Sequence, residues 1–124
     1  MPSILMIDDD DEFSGLTSEF FTRRGYSVEL ATGGKVGLAK VAASPPDLIF
    51  LDIMMPDMNG IEVLRELGSD YDTAGIPVLV MSSRDVDAGM QRMFSQERNF
   101  KGFVPKPTNF DTLEMKVAGL LRVH

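Results

Sequence analysis

No cysteine occurs in the 124 residues, which excludes disulfides, thiol nucleophiles and thiolate metal sites. That absence fits a reducing cytosol, and a cytoplasmic protein is the expectation. The single histidine, His124, lies at the chain end and cannot by itself form a histidine-based triad or metal site. No apolar run is long enough to span a bilayer. The segment Met1-Pro2-Ser3-Ile4-Leu5-Met6-Ile7 has no charged n-region and breaks into acids after one short apolar stretch, which argues against a signal peptide or membrane span. Basic residues are also scarce, with 12 Lys and Arg against 19 Asp and Glu, a formal net charge of -7. Polyanions are held chiefly by clustered cations, so direct nucleic-acid binding is disfavoured. A cationic partner or a bound metal ion suits the charge better.

Hydrophobic residues make up 44% and charged residues 25%, enough for an ordinary core under a charged surface. The length suits one domain, expected to run over residues 1–124 without an output domain. Five short apolar runs are read as strands: Ile4 to Ile7, Tyr26 to Ala31, Leu48 to Leu51, Val78 to Met81, and the brief Phe103-Val104. The third is apolar throughout, as a strand buried on both faces should be. A helical period follows each run. Phe13, Leu16 and Phe20 form the first stripe, stopped by Gly25. Val36, Ala39 and Ala43 form a poorer one, weakened by Gly33, Gly34 and Gly37. Ile61, Leu64 and Leu67 make the third, with Asn59 near its start, and Val86, Met90, Met93 and Phe94 the fourth. Phe110, Leu113, Val117, Leu120 and Leu121 make the fifth, with Thr108 or Asn109 as N-cap. Such alternation predicts an α/β fold, a parallel sheet covered by helices on both faces.

The chemistry lies where polar residues interrupt these runs. Asp8 and Asp9 follow the first strand, Asp52 the third, Ser82 the fourth and Lys106 the fifth. A parallel sheet gathers its C-terminal strand ends along one edge, where folds of this class bind ligands. Three carboxylates crowded there repel one another unless a hard divalent cation and the Lys106 ammonium relieve them. An aimed aspartate is a competent phosphoryl acceptor, and phosphoryl transfer depends mainly on positioning and charge neutralisation. Taken singly, the residues have plainer readings: Asp8 to Glu12 as an acidic helix start, Asp52 as a strand-ending acid, Lys106 as a surface lysine. It is their joint placement that points to a site.

The stretches Ile4-Leu5-Met6-Ile7-Asp8-Asp9-Asp10, Asp47 to Gly60, Ile76 to Ser83 and Gly102-Phe103-Val104-Pro105-Lys106-Pro107 resemble receiver domains of two-component response regulators, the CheY-like superfamily. The most specific part is Asp52-x-x-Met55-Pro56-x-Met58-x-Gly60. The resemblance covers essentially the whole chain and implies a doubly wound flavodoxin-like fold with strand order 2-1-3-4-5. It also implies that Asp52 is the phosphoacceptor, and that Asp8, Asp9, Asp52 and the Met54 backbone carbonyl bind Mg²⁺. Lys106 would contact the phosphoryl group, with a cis bond before Pro107; Ser82 and Phe103 would be the switch pair. The implied partners are a sensor histidine kinase or histidine phosphotransfer protein, and a downstream protein or fused output domain. Partner binding would change through the face formed by the fourth helix, fifth strand and fifth helix. Such a module is not an enzyme acting on a separate substrate; it catalyses its own phosphotransfer and slow autodephosphorylation.

The sequence departs from that pattern at Val36-Gly37, at Asn99-Phe100-Lys101-Gly102, at Ser83 and at Thr108. Three other functions suit the residues less well. A haloacid-dehalogenase-type phosphatase wants an acid two residues after the nucleophile, where Met54 stands. A flavin or nucleotide domain wants a phosphate-binding loop after the first strand, where Asp8 to Asp11 would repel phosphate. A receiver-like module that binds partners without phosphorylation would not need the acids and Lys106 together.

Overall fold

The computed structural model describes residues 1–83, 85–106 and 108–122. Strand and helix alternate five times: β1 (Ser3–Ile7), α1 (Asp11–Arg23), β2 (Ser27–Ala31), α2 (Gly34–Ala43), β3 (Leu48–Asp52), α3 (Gly60–Ser69), β4 (Val78–Ser82), α4 (Ala88–Ser95), β5 (Phe100–Pro105) and α5 (Phe110–Arg122). All strand pairs are parallel and the sheet order is β2-β1-β3-β4-β5, the flavodoxin-like α/β order. The cis bond expected before Pro107 and the reading of His124 lie outside the described residues.

Side-chain alternation along the strands divides the core into two layers. Leu5, Ile7, Ile49, Leu51, Val78 and Val80 face α2, α3 and α4, while Ile4, Met6, Leu48, Phe50, Leu79 and Met81 face α1 and α5. Both faces of β1, β3 and β4 are therefore dry, which is why these strands read as unbroken apolar runs.

The helix ends follow local chemistry. Asp10 caps α1 by accepting the Phe13 N–H at 3.1 Å, and Gly25, at φ 93°, ends it. Asn59 and Glu62 form a reciprocal capping box on α3. Asp87 caps α4, so Val86 precedes that helix instead of belonging to it. Asn109, not Thr108, accepts the Thr112 N–H at the start of α5.

Three further expectations are corrected. On α1 the buried stripe is Phe13, Thr17 and Phe21; Leu16 is exposed and Phe20 half-buried. Apolarity misled here because Thr17 hides its hydroxyl by donating to the Phe13 carbonyl at 2.8 Å. On α2 the buried face is Gly34, Gly37 and Val41, while Val36, Ala39 and Ala43 face solvent. The glycines are packing surfaces: a Cβ on Gly37 would sit 2.6 Å from Ile7 Cδ1. Finally, β5 runs from Phe100, longer than the Phe103-Val104 pair suggests. Phe100 pairs with Val78 and Phe103 with Val80, so two β5 residues stand opposite one on β4, with Gly102 at φ 140°. This bulge breaks the two-residue period and turns Phe100 and Phe103 onto the same face.

Candidate functional site

The backbone ladder runs one residue beyond the strands and fixes the site residues at the sheet's C-terminal edge. The Asp8 N–H donates to the Ala31 carbonyl at 2.9 Å, Ile53 to Met81 at 3.0 Å and Lys106 to Ser82 at 2.8 Å. Asp8 and Asp52 are buried and Asp9 is exposed, yet one carboxylate oxygen from each lies within 4.8 Å of the others. The Asp8 side chain is oriented twice, accepting the Asp10 N–H at 2.9 Å on one oxygen and Lys106 Nζ at 2.9 Å on the other. Lys106 Nζ also stands 3.9 Å from Asp52 Oδ1 and from Asp10 Oδ2, and 4.8 Å above the centre of the Phe13 ring.

One ammonium thus faces more negative charge than it can neutralise. The Asp52 carboxyl is pushed up to about 7, first by burial and then by the Asp8 charge. Lys106 and the Met54 N–H pull the other way without cancelling those effects. A cluster of oxygen donors with this electrostatic strain fits a hard divalent cation such as Mg²⁺, which would restore Asp52 to its ionised form. Asp8, Asp9 and Asp52 are the carboxylates placed to hold it.

Met54 lines the same cleft, together with Asp9, Asp52, Ser83 and Lys106, and its side chain is 60% exposed. The loop carrying it returns sharply into α3 at Gly60, whose N–H donates to the Ile53 carbonyl at 2.9 Å. A Cβ on Gly60 would lie 2.9 Å from the Asp52 carbonyl oxygen and 3.0 Å from Ile53 Cα. Only glycine lets α3 begin so close beneath Asp52.

Ser82 is buried at the end of β4, paired in register with Pro105. Phe103 lies one same-face step earlier, opposite Val80, and is half-buried against Phe94 of α4 and Phe100, at ring-centre distances of 5.2 and 4.8 Å. The structure therefore brings Asp8, Asp9, Asp52, Met54 and Lys106 together at the sheet's C-terminal edge, where Ser82 ends β4 opposite Pro105 and Phe103 precedes Pro105 by two residues.

Sequence reasoning missed two residues here. Asp10 was read only as part of an acidic run, although it caps α1 and faces Lys106. Phe13 was read only as core, although its ring lies under the ammonium. The spacing from Asp10 to Phe13 carried the capping signal; nothing local carried the contact with Lys106, 93 or more positions away.

Comparison with known proteins agrees with this fold. The family model described as "Response regulator receiver domain" matches residues 4–118. "Response regulator MprA" of Mycolicibacterium vanbaalenii is 35% identical over 119 residues, 96% of this chain and 50% of that protein; its Mycobacterium leprae counterpart is 36% identical over the same length. The chain spans about half the length of these curated relatives. Among solved structures, Vibrio cholerae chemotaxis protein CheY4 is 25% identical with a TM-score of 0.89, covering 97% of this chain and 98% of that one. A CheY-like receiver domain protein from Methanospirillum hungatei is 26% identical with a TM-score of 0.89, covering 98% and 94%. The chain belongs to the response regulator receiver domain family of two-component signalling.

Proposed function

We propose that this chain is a phosphorylation switch in which Asp52 accepts a phosphoryl group from a sensor histidine kinase or a histidine phosphotransfer protein. The observation that carries the reading is the meeting of three carboxylates within 4.8 Å beside a lysine ammonium 2.9 Å from one of them. In the step itself an Asp52 carboxylate oxygen forms a bond to phosphorus while the donor's phosphorus–nitrogen bond breaks. The electron pair leaves with the donor imidazole, which is then protonated. Asp8, Asp9, Asp52 and the Met54 carbonyl would hold Mg²⁺, which when bound would neutralise charge on the phosphoryl oxygens.

The chain's own residues do the rest. Asp8 holds Lys106 in place, and Lys106 supplies positive charge to the phosphoryl group. Ser82 offers its hydroxyl from the end of β4. Movement of Ser82 and Phe103 would change the face built from α4, β5 and α5, and with it the affinity for a partner. The module is thus a single receiver domain over residues 1–124, working in the cytoplasm and catalysing its own phosphotransfer and slow autodephosphorylation. Its output is a downstream protein or a fused domain, as the greater length of the relatives suggests.

The test is incubation with acetyl phosphate, with and without Mg²⁺, followed by mass spectrometry of wild type and Asp52→Asn. Metal-dependent modification of wild type alone is expected. Modification that persists in Asp52→Asn, or that ignores the metal, overturns the proposal.

A further inference from the structure

The loop of residues 53–59 carries Met54 to the carboxylate cluster and is tied to a helix that does not follow it in the chain. Asp57 Oδ1 accepts the Gly34 N–H at 3.1 Å and the Met58 N–H at 2.9 Å, and Oδ2 accepts the Lys35 N–H at 3.0 Å. Gly34 and Lys35 are the first two residues of α2, whose N-cap, Gly33, has no side chain and whose first turn has no acid. Asp57 therefore satisfies two of the helix's open N–H groups and complements its dipole from 22 or more residues away. Lys35 and Gly34 hold its carboxyl below the usual range, so the tie is charged at neutral pH.

Gly33 and Gly34 make the approach possible. A Cβ on Gly33 would lie 3.0 Å from both Asp57 oxygens, and one on Gly34 would lie 2.8 Å from Met58 Cβ and 2.9 Å from Val63 Cγ2. At its next turn the same helix sets Gly37 against Ile7, the residue before Asp8. One rigid element thus touches both sides of the cluster: β1, which ends in the acidic pair, and the loop that presents Met54. A serine at position 33 could have capped α2 locally, without any link to the loop.

We infer that Asp57 is a positioning residue, which through α2 fixes the Met54 loop at its distance from Asp8 and Asp9 and so sets the affinity for the divalent cation. The inference rests on the proposed Mg²⁺-assisted chemistry at Asp52. Its test compares wild type, Asp57→Ala and the double variant Gly33→Ser/Asp57→Ala. Gly33 has φ -167°, extended backbone open to serine, and the shortened residue 57 leaves room for the new side chain. Mg²⁺ affinity is read by amide NMR titration of unphosphorylated protein, and stability by urea unfolding. Phosphorylation rate with acetyl phosphate is read against Mg²⁺ concentration.

Loss of a group that orients a metal ligand costs roughly tenfold or more in affinity. Asp57→Ala is expected to raise the Mg²⁺ Kd and the half-maximal Mg²⁺ concentration about tenfold, leaving the maximal rate unchanged. The shift should persist near 1 M KCl, where loss of a distant charge is largely screened. The double variant should regain stability but keep the weak affinity. Unchanged affinity in Asp57→Ala, or affinity that returns with stability in the double variant, overturns the inference while leaving the role of Asp52 intact. Absence of Mg²⁺-dependent shifts in wild type overturns both.

Discussion

Replacing Gly37 by alanine sets two effects of opposite sign against each other. Inside a helix, alanine is favoured over glycine by about 1 kcal/mol. At Gly37, however, the new Cβ would lie 2.6, 2.8 and 3.0 Å from Cδ1, Cγ1 and Cγ2 of Ile7. Ile7 is β-branched, fully buried and pinned in β1, so it cannot swing away as the tip of a flexible side chain would. Overpacking a filled core costs roughly 1–3 kcal/mol. With three atoms too close, the upper part of that range applies, and Gly37→Ala is expected to lose about 1–2 kcal/mol net. Gly15 provides the control. It lies within α1, and a Cβ there would meet nothing within 4 Å, so Gly15→Ala should gain about 0.5–1 kcal/mol. For a domain of this size each kcal/mol moves Tm by roughly 3–6 °C. Urea unfolding and calorimetry on both variants would measure the difference. Equal or greater stability of Gly37→Ala would refute the view that α2 lies on the sheet through its glycines.

Other outcomes follow from the charge balance. The folded Asp52 carboxyl titrates near 7 instead of its ordinary 3.8, so between those values the folded protein binds more protons than the unfolded chain. In metal-free buffer, stability should therefore fall as pH rises from about 4 to about 7. Asp52→Asn should escape that loss; parallel stability curves for the two proteins would contradict it. Lys106→Met leaves the buried Asp8 carboxylate without its ammonium and should cost about 3 kcal/mol, with part recovered in Lys106→Met/Asp8→Asn. Additive losses in that double-mutant cycle would deny the pair its coupling. Met54→Asn places a polar side chain at the mouth of the cleft and should shorten the aspartyl-phosphate lifetime; equal half-lives would reject a role for Met54 in limiting water access.

Much of this protein could be read from its residues in order, because the relevant signals are local or periodic. A strand buried on both faces must be apolar at every position, so Leu48 to Leu51 announced itself, and a carboxylate ending such a run marked Asp52. Asn59 and Gly25 marked helix boundaries for the same reason: their effects act within one turn of backbone. Once alternating strands and helices imply a parallel sheet, the strand ends share an edge. The grouping of Asp8, Asp9, Asp52, Ser82 and Lys106 then follows from connectivity.

What tertiary structure alone decided were contacts between elements distant in the chain. Hydrophobic periodicity chose the wrong face of α2, because close approach of two backbones needs glycine, and glycine has no side chain to register as apolar. It placed Leu16 where Thr17 lies, because a hydroxyl bonded to its own helix can be buried as an apolar group is. It shortened β5, because a bulge at Gly102 breaks the alternation by which strands are recognised. The tie from Asp57 to Gly34 and Lys35, and the Phe13 ring beneath Lys106, depend on how far apart packed helices and loops come to rest. That distance is set by the volumes of all the side chains between them, and no single stretch of sequence records it.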